Sequence, residues 1–145
     1  MSDRIANARL DHTSLMVRDL DAAAGFLVTV FGFLPAFGPV EIAAEFARMT
    51  GSEQVATRLM QLTDPASGQR IELISCANRT ASLVADARLP SAHISFIVPD
   101  LATAMKCATQ GGASSVGEIT TFNEGRSAYI RAPGDLVVEL EELFE

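Results

Sequence analysis

The chain repeats a short strand-like segment, and this repeat constrains its fold more than any other feature. Residues 10–20 read LDHTSLMVRDL and residues 91–101 read SAHISFIVPDL; from the histidine onward, five of nine positions match. The matched histidines, His12 and His93, lie 81 residues apart. Each copy leads into an Ala-rich stretch that ends near glycine. The chain is therefore expected to contain two structurally equivalent halves.

The two halves also end alike. Residues 64–74 (DPASGQRIELI) and 131–141 (RAPGDLVVELE) each contain a proline and a glycine, followed by an apolar residue, a glutamate and a leucine. Each half thus opens with a strand that carries histidine and closes with a strand that carries glutamate, which is Glu72 in the first half and Glu139 in the second. Chance similarity of short apolar strands is a poor explanation for this shared order.

Local signals give each half the order βαβββ. Asp19 and Asp100 stand where a helix would begin, because a short acceptor side chain can cap the first free N–H groups. Gly32 and the Gly111–Gly112 pair are suitable helix ends. We expect helices at about 20–30 and 101–110, strands at 53–63 and 126–131, and hairpin turns at 64–69 and 132–135.

The halves differ in length, since histidine and glutamate are 60 residues apart in the first and 46 in the second. The extra residues fit best at 40–51 (VEIAAEFARMTG), whose apolar spacing predicts an added short helix. The predicted fold is α+β, with a first module at about 8–75, a linker at 76–90 and a second module at 91–143. Together they form a single domain over residues 1–145.

Composition restricts the class of protein. The 145 residues are 48% hydrophobic and carry a net charge of −7, so a nucleic-acid partner is not expected. No apolar run approaches the ~20 residues of a membrane span, and the polar N-terminus lacks the apolar core of a signal peptide. The two cysteines, Cys76 and Cys107, have no CxxC spacing and are predicted to be free thiols. The chain is expected to be cytoplasmic.

The only two histidines occupy the same place in the repeat. Alone, each would be read as structural or exposed, and each glutamate as facing solvent at a sheet edge. Two modules that close around a common cup would instead bring His12, Glu72, His93 and Glu139 around one point. Two imidazoles and two carboxylates suit a borderline divalent ion such as Zn, Ni, Co, Mn or Fe(II).

These paired βαβββ modules, with His opening and Glu closing each, resemble the vicinal oxygen chelate superfamily of glyoxalases, bleomycin-resistance proteins and extradiol dioxygenases. The resemblance implies curved mixed sheets around a metal-binding cup, in which His12, Glu72, His93 and Glu139 are the ligands. A fourth ligand at Glu72 is similar to the lactoylglutathione lyase and methylmalonyl-CoA epimerase branch. The family resemblance also implies a homodimer. The exposed sheet edges and the mean hydropathy of +0.24 favour a homodimer as well.

The function implied is a metal-dependent isomerase or lyase that acts on a small substrate through a metal-stabilised enediolate. Glu139 is the first choice for the base and Glu72 the second. Two alternatives stay open: a small-molecule binding or resistance protein without turnover, and an extradiol dioxygenase-like oxidoreductase that uses Fe(II). The sequence departs from the family in its first-helix motif, in its last turn (Ala132–Pro133–Gly134–Asp135) and in the insert.

Two further groups of side chains have open interpretations. Arg126 and Arg131 could meet an anionic substrate or lie solvated at the surface. Four large apolar residues could line a substrate pocket or form core and dimer contacts: Phe37, Phe46, Met49 and Met60.

Overall fold

A computed structural model of the chain describes residues 5–77 and 92–145. The first half contains β1 (Thr13–Met16), α1 (Leu20–Phe31), β2 (Leu34–Glu41), α2 (Ala43–Thr50), β3 (Thr57–Thr63) and β4 (Arg70–Cys76). The second half contains β5 (Ile94–Ile97), α3 (Leu101–Gln110), β6 (Ser114–Ser115), β7 (Thr120–Thr121), β8 (Gly125–Ala132) and β9 (Leu136–Leu143), with a 3₁₀ turn at Pro133–Asp135.

Each half forms one mixed sheet with the same connectivity. The strand orders are β1-β4-β3-β2 and β5-β9-β8-β6, and β7 also pairs with β8. In both sheets the opening strand runs parallel to the closing strand, and the remaining neighbours are antiparallel. The predicted α+β fold of two βαβββ modules with mixed sheets is confirmed.

The helix boundaries follow from their capping residues. The carboxylate of Asp19 accepts a hydrogen bond from the N–H of Ala22, and that of Asp100 accepts one from Thr103. Helix α1 ends at Gly32, which adopts the left-handed conformation with φ of 72°. The helix predicted in the insert is also confirmed, as α2.

The two halves share one hydrophobic core. Leu15 and Leu73 of the first sheet belong to the same buried cluster as Val138 and Leu140 of the second. Helix α1 contributes Leu20, Ala23, Ala24, Phe26 and Leu27 to this cluster. Burial of each such leucine stabilises the fold by roughly 1.5–3 kcal/mol. Both sheets therefore turn one face towards a common core, and we call the opposite face of each sheet its front face.

The turn before β9 fastens the second half to the first. The carbonyl oxygen of Gly134 accepts a hydrogen bond from the N–H of Arg18 at 2.8 Å. Gly134 has φ of 77°, and a Cβ built there would lie 2.4 Å from the carbonyl oxygen of Asp19. Only glycine fits this contact without displacing the backbone.

Several expectations need correction or lie outside the described residues. The linker predicted at 76–90 falls mostly outside them, although β4 continues to Cys76. The four large apolar residues do not line one pocket, because Met60 packs against the core whereas Met49 is 85% exposed. Arg126 is partly exposed and forms an ion pair with Glu142 at 3.1 Å.

Two smaller observations complete the fold. Both cysteines are free thiols, as predicted; Cys76 is buried and Cys107 exposed. No helix within residues 5–77 and 92–145 combines the length and the apolar character that a membrane span requires.

Candidate metal centre

The front face of the first sheet carries a histidine and a glutamate in contact. His12 lies directly before β1, and Glu72 lies in the neighbouring strand β4, where it pairs with Ser14. The Nε2 atom of His12 is 3.3 Å from the Oε2 atom of Glu72. Parallel pairing of the opening and closing strands is what brings these residues together across 60 positions of sequence.

The second sheet repeats this arrangement. His93 lies directly before β5, and Glu139 lies in β9, where it pairs with Ser95. The Nε2 atom of His93 is 3.1 Å from the Oε2 atom of Glu139. The sequence repeat therefore corresponds to two equivalent His–Glu pairs, one on each front face.

The spacing of these donors fits a shared metal ion. Two ligands with metal bonds of about 2.1 Å, at right angles on one ion, have donor atoms about 3 Å apart. Both observed N–O distances are close to that value. Each pair could supply two neighbouring ligands of a divalent ion, and imidazole with carboxylate suits the first-row metals named above.

Asp11 orients the imidazole of His12. Its Oδ2 atom is 2.8 Å from Nδ1 of His12, and this leaves Nε2 directed at Glu72. A carboxylate on the second ring nitrogen is the usual support of a metal-binding histidine. The pKa of His12 is raised above its ordinary value, mainly because its ring donates a hydrogen bond to the carboxylate of Asp11; burial opposes this rise, and the negative charge of Glu72 adds to it.

Glu72 is a buried carboxylate, with an exposure of 8%, and its neighbours in β4 are apolar. Two neighbours offset its desolvation: the hydroxyl of Ser14 donates to Oε1 at 3.0 Å, and the amide of Gln61 donates to Oε2 at 2.8 Å. Sequence reasoning missed Asp11 and Gln61 as part of this site. Asp11 could have been found as an acid next to a candidate ligand, whereas Gln61 requires the register of β3 against β4.

The structure brings the four predicted ligands together as two separate pairs, His12 with Glu72 and His93 with Glu139, and not as one group. In the part of the chain that the structure describes, no three His, Cys, Asp or Glu side chains lie close enough to hold an ion. The shared core explains this separation. Because both sheets place their other face against that core, the His12–Glu72 and His93–Glu139 pairs both lie on faces turned away from it and do not meet.

Large apolar side chains are exposed on both front faces. Leu34 and Phe37 pair with Thr63 and Gln61 and so share the face of Glu72; Phe37 is 53% exposed. On the second sheet, Ile97 shares the face of Glu139 and is 71% exposed. Exposed apolar surface beside polar groups is typical of an interaction site.

A family model matches residues 11–129, most of the chain, and describes the Glyoxalase/Bleomycin resistance protein/Dioxygenase superfamily. The chain belongs to this superfamily. The match begins at Asp11, directly before His12, and ends at Tyr129. No functionally curated protein shows significant sequence similarity to the chain.

Solved structures of the superfamily share its fold. A glyoxalase family protein from Bacillus cereus has 24% identity and a TM-score of 0.72, over 98% of this chain and 100% of that one. A point mutant of the fosfomycin resistance protein FosX from Listeria monocytogenes, in a complex with Mn(II) and 1S,2S-dihydroxypropylphosphonic acid, has 17% identity and a TM-score of 0.63, over 95% of this chain and 90% of that one. TnmS3, an antibiotic binding protein from Streptomyces sp. CB03234, has 15% identity and a TM-score of 0.63, over 97% and 100%.

Proposed function

We propose that this member of the superfamily is a divalent-metal-dependent isomerase or lyase whose metal centre forms between two copies of the chain. In each centre His12 and Glu72 come from one copy, and His93 and Glu139 come from the other. The substrate is a small molecule with two adjacent oxygens, as in the lactoylglutathione lyase and methylmalonyl-CoA epimerase branch. A closed two-fold dimer then contains two identical centres.

The observation that carries the proposal is the matched geometry of the two His–Glu pairs. Each pair presents an imidazole nitrogen and a carboxylate oxygen at the separation of two neighbouring ligands of one ion, and within the described residues the two pairs do not meet. Two ligands alone hold a divalent ion weakly. Two front faces from different chains would supply four ligands and would also cover the exposed Phe37 and Ile97.

The residues of the chain divide the chemistry between them. A divalent ion held by the four ligands supplies Lewis-acid stabilisation of negative charge on the substrate oxygens. The carboxylate of Glu139 removes a proton from the carbon next to the substrate carbonyl. The same group returns that proton to the same carbon or to its neighbour, and no net proton is gained or lost. The apolar residues around each pair exclude water from the reacting carbon.

A complementation experiment tests where the centre forms. The double variant His12→Ala/Glu72→Ala removes the first pair, and His93→Ala/Glu139→Ala removes the second. Neither variant alone should bind Co²⁺ tightly. An equimolar mixture, unfolded and refolded together, should contain about half heterodimer with one intact centre, which gives about 0.25 ion per chain. Centres formed within one chain would give no binding in the mixture, and wild-type protein without bound Co²⁺ would contradict the metal proposal itself.

A second set of assays tests turnover. Methylglyoxal with glutathione and methylmalonyl-CoA are the substrates to try after separate loading with Ni, Co, Zn and Mn. Deuterium uptake from solvent next to the carbonyl reports proton removal even where conversion is small. Tight metal binding without exchange for either substrate would favour a binding protein, and oxygen uptake with a catechol and Fe(II) would favour the dioxygenase alternative.

A further inference from the structure

The two glutamates of the candidate centre occupy equivalent positions but have different neighbours. Glu72 pairs in register with Ser14 on one side and Gln61 on the other. Glu139 pairs in the same way with Ser95 and Tyr129. The strand positions are therefore matched across the two halves, and the side chains on them differ in what they can donate.

In the first half both carboxylate oxygens accept a hydrogen bond. Ser14 donates to Oε1 and Gln61 donates to Oε2. Each oxygen keeps a further lone-pair direction, so Glu72 can bind a metal ion without losing either donor. Movement of Glu72 off the ion towards a substrate would break both hydrogen bonds. These bonds are charge-assisted, which makes them stronger than those between neutral groups.

In the second half the equivalent neighbours leave Glu139 without such donors. The hydroxyl of Ser95 donates to Glu141 instead. Tyr129 stands where Gln61 stands in the first half, and its ring contacts the ring of His93 edge-on at a centroid distance of 5.1 Å. Within the described residues, the one hydrogen-bond partner of the Glu139 carboxylate is Nε2 of His93 at 3.1 Å.

We propose that Ser14 and Gln61 are positioning residues that fix Glu72 as a permanent metal ligand, and that their absence around Glu139 leaves that carboxylate free to move to the substrate proton. This inference rests on the proposed function. It explains by geometry why two glutamates at equivalent positions have unequal roles. Glu72 would hold the ion throughout, whereas the carboxylate of Glu139 would be the one able to take up the substrate proton.

Metal affinity without substrate tests the first part. Co²⁺ should bind about tenfold more weakly to Ser14→Ala and to Gln61→Leu, because loss of a group that orients a ligand typically costs 10–100-fold in affinity. Ser95→Ala is the matched control, since this serine has the same strand position but donates elsewhere; its affinity should change by less than about twofold. Ser14→Thr keeps the hydroxyl and should restore the wild-type value. The visible absorption of bound Co²⁺ should change in Ser14→Ala and Gln61→Leu but not in Ser95→Ala.

The outcomes separate this inference from the proposed function. Equal affinities and spectra for Ser14→Ala, Gln61→Leu and Ser95→Ala, with tight binding by the wild type, would overturn the positioning role and leave the shared metal centre intact. Absence of Co²⁺ binding by the wild type would overturn both. Chemical unfolding of each variant shows whether a loss of affinity accompanies a loss of fold. In that case, Ser14→Thr decides, because restored affinity supports the hydrogen bond and unrestored affinity contradicts it.

Discussion

Phe31 at the end of α1 and Phe96 in β5 stack face to face, with their ring centroids 3.8 Å apart. The pair joins the helix of the first half to the opening strand of the second. Phe26 and Phe33 meet these rings edge-on, so the contact is part of an aromatic cluster that lies between the two modules. This contact makes the stability of each half depend on the other.

We therefore expect Phe96→Ala to destabilise the whole domain in a single transition. The loss should be about 2–3 kcal/mol, below the 3–5 kcal/mol typical of a fully buried phenylalanine because Phe96 is only partly buried. Guanidinium unfolding followed by circular dichroism measures it. Phe122→Ala is the control, since that ring is exposed and its removal should cost less than about 0.5 kcal/mol. Two separate transitions in the wild type would contradict the shared core.

Gly134 should tolerate no side chain. Gly134→Ala combines a positive φ with a close contact to the backbone of Asp19, so we expect a loss of more than about 2 kcal/mol in the free energy of unfolding. Gly68 has a similar φ of 75° but open space around its Cβ direction. Gly68→Ala should therefore lose only about 1 kcal/mol. Similar losses in thermal and chemical unfolding for both variants would show that the Gly134 contact is unimportant.

Metal binding should weaken as the pH falls, because a proton on His12 competes with the ion. Its raised pKa, caused mainly by the hydrogen bond to Asp11, places this competition at a higher pH than for an ordinary histidine. Asp11→Asn removes the charge, lowers the pKa of His12 and should move the loss of Co²⁺ affinity to lower pH. Asp21→Asn, in the first turn of α1 and paired with Arg58 rather than with a histidine, is the control. Titration of affinity against pH checks the direction, and an unchanged or upward shift for Asp11→Asn would refute it.

The two glutamates should respond differently to the same substitution. Glu139→Gln should keep part of its metal affinity but lose roughly 10²–10⁴-fold in rate, because an amide cannot accept the proton. Glu72→Gln should be milder in turnover, since it changes a fixed ligand and not the base. Deuterium uptake into substrate measures both. Larger loss of exchange in Glu72→Gln would reverse the assignment of the base.

A charge on a front face should separate the two chains. Ile97→Asp places a carboxylate on the face that the partner would cover, so we expect a monomer with weak metal binding. Met49→Asp is the control, because that side chain is 85% exposed on the insert helix. Sedimentation at micromolar concentration distinguishes the two. A wild-type monomer under these conditions would remove the basis for a centre between chains.

The local elements could be predicted from sequence because their causes are local. Asp19 and Gly32 mark both ends of α1 through their own backbone and side-chain geometry. That His12 and Glu72 belong to one candidate site was predicted because the repeat shows which strand opens and which closes each module; their contact across parallel strands is a finding of the structure. The insert helix followed from apolar spacing alone.

The separation of the two pairs could not be predicted in this way. Alternation along β1 and β4, together with the pairing of these strands, places His12 and Glu72 on one face, but alternation does not say which face meets the core. That choice depends on how the sheets pack around α1 and on contacts such as that of Gly134 with Arg18. The role of Gln61 was missed for a related reason, since the register of a hairpin depends on its turn.

Because a single core lies behind both front faces, the metal content expected of this protein depends on its own concentration. Under the proposed function, each ligand pair is completed by a second copy, because within the described residues the His12–Glu72 and His93–Glu139 pairs of one chain do not meet. The occupancy of the proposed centre by metal then rises with the concentration of the protein as well as with that of the ion, because metal binding stabilises the dimer and the dimer completes the metal centre. A cell that makes little of this chain would have neither dimer nor active centre, so that activity would increase more steeply than expression.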